Sequence, residues 1–79
     1  MVAKAYVLIE AQVGKVQKVV EAIRKLEGVA SVDAVTGPYD AIAVIQRETL
    51  ADIGDLITSM VHPVADISRT VTCLVTQLS

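Results

Sequence analysis

Val35-Thr36-Gly37-Pro38-Tyr39-Asp40-Ala41 is the stretch where the chain turns back on itself. Upstream lies the apolar run Val29-Ala30-Ser31-Val32-Asp33-Ala34-Val35, and downstream lies Ala41-Ile42-Ala43-Val44-Ile45. Two β-prone runs split by a Gly/Pro/Asp cluster predict an antiparallel hairpin. The ring of Pro38 pre-sets φ for the second position of a tight turn. Tyr39 and Asp40 then fall at the rim of a sheet, a good place to hold a small ligand. The competing reading is that Gly, Pro and Asp here are turn punctuation and nothing more.

Working outward, Ala5 to Ala11 alternates as a first strand, with Ala5, Val7 and Ile9 on one face and Tyr6 and Leu8 on the other. Both faces are apolar, which a strand with one wetted face would not show. Gly14-Lys15 opens a helix whose Val16, Val19, Val20, Ile23 and Leu26 recur at helical spacing. Gly28 is placed to end it. Beyond the hairpin, Thr49 and Asp52 have the spacing of a capping box. The helix they start would bury Leu50, Ile53, Ile57, Met60 and Val61 and stop at His62-Pro63. His62 reads as a favourable partner of the helix C-terminus. Gly54 weakens that helix, so a close helix–sheet approach is the expected reason for it. The last strand is expected from Asp66 to Gln77. Ile67, Arg69, Val71, Cys73 and Val75 take one face of it, and Ser68, Thr70, Thr72, Leu74 and Thr76 the other.

The order strand–helix–strand–strand–helix–strand predicts an α+β fold, the ferredoxin-like βαββαβ sandwich. Its antiparallel four-stranded sheet carries both helices on one face. Right-handed crossovers put the first and third strands at the centre. The two halves echo each other, Val29-Ala30-Ser31-Val32 against Val64-Ala65-Asp66-Ile67.

At 79 residues the chain is expected to be a single domain. A core of that size supplies only about 3–5 kcal/mol, so a staple is expected. Cys73 is the one cysteine and His62 the one histidine, so neither a disulfide nor a metal site is expected. Oligomerisation remains. With 53% hydrophobic residues the chain is too apolar to hide its surplus alone, and its helix-free sheet face calls for a second copy. A net charge of −2 argues against binding a phosphate backbone directly. No apolar run reaches the ~18 residues of a membrane span, and Met1-Val2-Ala3-Lys4 lacks the layout of a signal peptide. The expected location is the cytoplasm.

Catalysis finds no support. Cys73 lies mid-strand, no serine sits in a nucleophile elbow, and no glycine loop cradles phosphate. Binding is better served. Asp40 can meet an ammonium, while Thr70 and Thr72 hydroxyls and backbone donors near Gly37 can meet a carboxylate. Alternating threonines are also ordinary strand chemistry.

Gly37-Pro38-Tyr39-Asp40 resembles the Gly-x-Tyr-Asp turn of the RAM domain, the effector-binding half of the Lrp/AsnC transcription regulators. Gly14-Lys15, Leu26-Glu27-Gly28-Val29 and Thr70-Val71-Thr72 match in order and spacing, from about Ala3 to Leu78. The resemblance implies a dimer formed through sheet faces and rings of dimers, octamers or similar. It also implies small effectors, typically amino acids, held between dimers. By position it selects Gly37, Tyr39, Asp40, Thr70 and Thr72, with Pro38 and Ser68 as neighbours; no cofactor is implied. The helix-turn-helix of full-length regulators has no counterpart in residues 1–4. A stand-alone module acting through mixed assembly with such regulators is therefore expected, without direct DNA contact. Three alternatives stay open: a purely structural oligomerisation module, a dimeric α/β-barrel enzyme, and an amino-acid-binding ACT-like domain. The enzyme is disfavoured by the lack of Trp, Asn and Phe.

Overall fold

A computed structural model describes residues 2–76. The elements run β1 (Ala3–Ala11), α1 (Val16–Arg24), β2 (Val29–Ala34), β3 (Ala41–Arg47), α2 (Leu50–Leu56) and β4 (Ile67–Leu74), with a π-helical turn over Ile57–Val61 extending α2. The sheet order is β2-β3-β1-β4 and every pairing is antiparallel. This is the expected ferredoxin-like α+β sandwich, with β1 and β3 at the centre. Gln77, expected in the last strand, lies outside the described residues.

Strand alternation builds the core. Ala5, Val7 and Ile9 of β1 and Ala41, Ala43 and Ile45 of β3 are buried on one face. Val19, Val20 and Ile23 of α1 and Ile53, Leu56, Ile57 and Val61 of the second helical segment close over them. The Thr49 Oγ1 accepts a hydrogen bond from the Asp52 amide at 3.1 Å, so the expected cap is present.

Three expectations about side-chain direction are corrected. Leu50 and Met60 are not buried, being 55% and 47% exposed, and Leu56 takes a core place instead. In the π-helical turn the His62 amide donates to the Ile57 carbonyl. This wider i→i+5 winding returns Val61 beneath Ile57 and swings Met60 outward. Gly54 makes no close approach to the sheet: a Cβ there would meet nothing within 4 Å. Ile67 does not share a face with Arg69. Glu10 pairs with Arg69 and Ala11 with Ile67, so Ser68 is a surplus residue, a β-bulge that turns Ile67 toward the core. A second irregularity of register falls between Val29 and Ser31 in the pairing of β2 with β3.

The opposite face of the sheet is covered by no element among the described residues. Cross-strand pairing sets Val44, Tyr6 and Cys73 in one row across it and Ile42, Leu8 and Val71 in the next. Six apolar or weakly polar side chains thus form a continuous patch.

Candidate functional site

One hydrogen bond closes the hairpin turn and two more pin it to the end of β1. The Asp40 amide donates to the Ile9 carbonyl at 2.8 Å, and the Val35 amide donates to the Asp40 carbonyl at 2.9 Å. The Asp40 carboxylate Oδ2 accepts from the Ala11 amide at 2.9 Å. Gly37 adopts φ +128°, a region closed to most L-residues, so the glycine is needed for the chain to reverse here. Asp40 therefore does a structural task as well as any binding task, and one of its oxygens is already committed.

Arg69 completes this end of the sheet. It stands across β1 from the turn, on the helix-free face, as the cross-strand partner of Glu10. Its Nη2 donates to the Tyr39 hydroxyl at 3.2 Å, and its guanidinium carbon lies 5.9 Å from the Tyr39 ring centroid. Its Nε is 3.7 Å from Glu10 Oε2. Tyr39, Arg69 and Glu10 thus surround the approach to the turn with an aromatic face, a guanidinium and a carboxylate. Sequence reasoning did not select Arg69 or Glu10 for the site. A lone Arg in a strand carries no pattern, and only the register between β1 and β4 reveals its neighbours.

Within one chain the expected residues fall into two groups. Gly37, Pro38, Tyr39 and Asp40 lie together in the turn, and Ser68 sits exposed in the bulge nearby. Thr70 and Thr72 point the other way. They pair with Ile9 and Val7, whose side chains are fully buried beneath the helices, so both hydroxyls belong to the helix side of β4. Thr70 Oγ1 is 3.4 Å from His62 Nε2, within hydrogen-bonding distance. Thr72 lines a mainly apolar cleft of about 320 Å³ between α2 and β4, with Leu50, Ile53, Gly54, Thr58 and Leu74. The missing side chain of Gly54 leaves room in that cleft, and exposed Leu50 is at its edge. No group of His, Cys, Asp and Glu able to hold a metal ion occurs among the described residues.

This architecture has known relatives. The Lrp/AsnC ligand binding domain profile matches residues 4–78, nearly the whole chain. The chain belongs to the Lrp/AsnC ligand-binding domain family. Among solved structures, this Lrp/AsnC domain is similar to TTHA0845 from Thermus thermophilus, at 34% identity and a TM-score of 0.91, covering 98% of this chain and 96% of that one. It shares its fold with Escherichia coli AsnC, at 14% identity and a TM-score of 0.88, over 96% of this chain and 52% of AsnC. It also shares it with the transcriptional regulator NMB0573 of Neisseria meningitidis, solved as an L-Met complex, at 13% identity and a TM-score of 0.83, over 95% of this chain and 50% of that one. The Lrp/AsnC domain thus spans about half the length of those two regulators. Among proteins of curated function, none matches it.

Proposed function

We propose that this Lrp/AsnC domain is a non-catalytic sensor of small effectors, amino acids above all, that works as an assembly of copies packed through their helix-free sheet faces. The observation that carries the reading is the family match over residues 4–78, taken with the uncovered apolar rows on the sheet. At about 25 cal/mol per Å² of apolar area, closing two such faces against each other gives a chain this small its missing stability. The turn residues Gly37, Pro38, Tyr39 and Asp40 would then bind effector where dimers meet in a larger ring. Ser68, Thr70 and Thr72 would serve the same pocket from a neighbouring copy, because within one chain the threonines face away from the turn.

The ligand in this proposal is a zwitterion. The Asp40 oxygen not engaged by Ala11 supplies a partner for an ammonium group, as charged acceptors do most strongly. An L-Met complex of the Neisseria meningitidis regulator is in keeping with that ligand class. The module would act in the cytoplasm on transcription of amino-acid metabolism, through full-length regulators that it joins. Its net charge of −2 gives it no role in contacting DNA directly. No helix among the described residues is long and apolar enough to cross a membrane.

A second reading, a purely structural oligomerisation module, is favoured by one observation: Asp40 is already tied to the Ala11 amide. Isothermal titration with the proteinogenic amino acids separates the two. Heat of binding from at least one of them is expected, and silence across the panel selects the structural module.

A further inference from the structure

We propose that Arg69 is the carboxylate-recognising residue of the effector site, so that the module requires a free α-carboxylate on its ligand. This rests on the reading of the site as an amino-acid site, and it replaces the threonine hydroxyls as the principal carboxylate donors. Thr70 and Thr72 lie on the helix side of β4, sharing the face of Ile9 and Val7. Arg69, the residue between Ser68 and Thr70, lies on the other face and reaches the turn itself.

The guanidinium is placed and poised for this task. Tyr39 holds it from the turn side, through the hydroxyl contact at 3.2 Å and the ring at 5.9 Å, which fixes the direction in which the planar fork points. Glu10 Oε2 lies 3.7 Å from Nε, too far for a hydrogen bond. Arg69 and Glu10 form the row beyond Leu8 and Val71, at the turn end of the helix-free face and outside its apolar rows. In the single chain the Arg69 side chain is 61% exposed, so that ion pair is a weak surface pair that a ligand can displace or share. Among the described residues the Tyr39 hydroxyl is the only group that accepts a hydrogen bond from the guanidinium. The fork therefore keeps donors for a bidentate carboxylate. Glu10 competes with the ligand carboxylate for the guanidinium, so it disfavours ligands with an extra negative charge and favours one that also carries an ammonium group.

The test is a set of titrations of the wild type, Arg69→Gln and Arg69→Lys with the proteinogenic L-amino acids and with their α-carboxamides. Circular dichroism first checks that the variants fold, as expected for an exposed side chain. Wild type binding of an acid but not of its amide is expected. Arg69→Gln should bind that acid about 10–100-fold more weakly, as for the loss of a charged hydrogen bond. Arg69→Lys should fall in between, because it keeps the charge and loses the fork. Equal binding of acid and amide, or undiminished binding by Arg69→Gln, overturns the assignment and leaves the amino-acid reading standing. Absence of binding by the wild type to every acid overturns both.

Discussion

The Asp40 carboxylate accepts a hydrogen bond from the Ala11 amide at 2.9 Å, across 29 residues of chain. The residue that marks the turn in the sequence is therefore also the clasp that holds the turn to β1. The structural role of Asp40 and the binding role proposed for it are separable, because asparagine keeps an acceptor oxygen and loses the charge.

Asp40→Ala is expected to destabilise the fold by about 1–3 kcal/mol, since it orphans a partly buried amide. Asp40→Asn should unfold close to the wild type yet lose affinity for an ammonium-bearing ligand. Thermal melts and titrations of the two variants side by side check this. Equal melting of Asp40→Ala and wild type would show that the clasp contributes nothing.

Leu8 lies at the centre of the helix-free face, between Ile42 and Val71. A lysine there places a charge inside any face-to-face contact, where it stays unpaired and costs several kcal/mol. Leu8→Lys should sediment as a smaller species than the wild type while keeping its circular dichroism spectrum. Unchanged sedimentation would mean that the sheets do not meet through this face.

Gly54 meets nothing within 4 Å of an added Cβ and lies inside α2. Gly54→Ala is accordingly expected to stabilise the chain by roughly 0.5–1 kcal/mol. For a domain of this size that raises Tm by about 2–8 °C. A lower Tm would indicate that a neighbouring copy fills the cleft beside Thr72.

Gly28 stands at φ +97°, and a Cβ there would lie 2.7 Å from Cδ of Arg47. Gly28→Ala should lose about 1–2 kcal/mol from left-handed strain alone, with the displacement of Arg47 in addition. Chemical denaturation measures it. The Arg47–Glu27 contact that would be disturbed is a long surface pair at 3.9 Å and contributes little.

How much could be read from the chain follows from what each residue's neighbours encode. The period-2 alternation of Ala5, Val7 and Ile9 and of Ala41, Ala43 and Ile45 announced both central strands. Thr49 marked a helix start by a local rule that tertiary structure does not override. By contrast, α1 ends at Arg24, and Gly28 serves instead the turn that leads into β2. Met60 falls outside the buried stripe because α spacing does not hold where the backbone widens to a π turn over Ile57–Val61. Ile67 was misplaced because a bulge leaves no trace in a run of Ser, Arg and Thr. The turn half of the candidate site was visible as Gly37 to Asp40, since glycine and proline fix backbone shape. Arg69 and Glu10 were not singled out, because their meeting depends on the register of two strands far apart in sequence.

The spare residue Ser68 bears on how the chain could change over time. Removing it would leave Ile67 opposite Ala11 and Arg69 opposite Glu10, so neither the interior nor the ladder would suffer. Only the local coiling of the strand would relax, and with it the reach of the guanidinium toward Tyr39. If Arg69 holds the ligand as proposed, ligand preference can drift by insertion or loss at one exposed position, at almost no risk to folding.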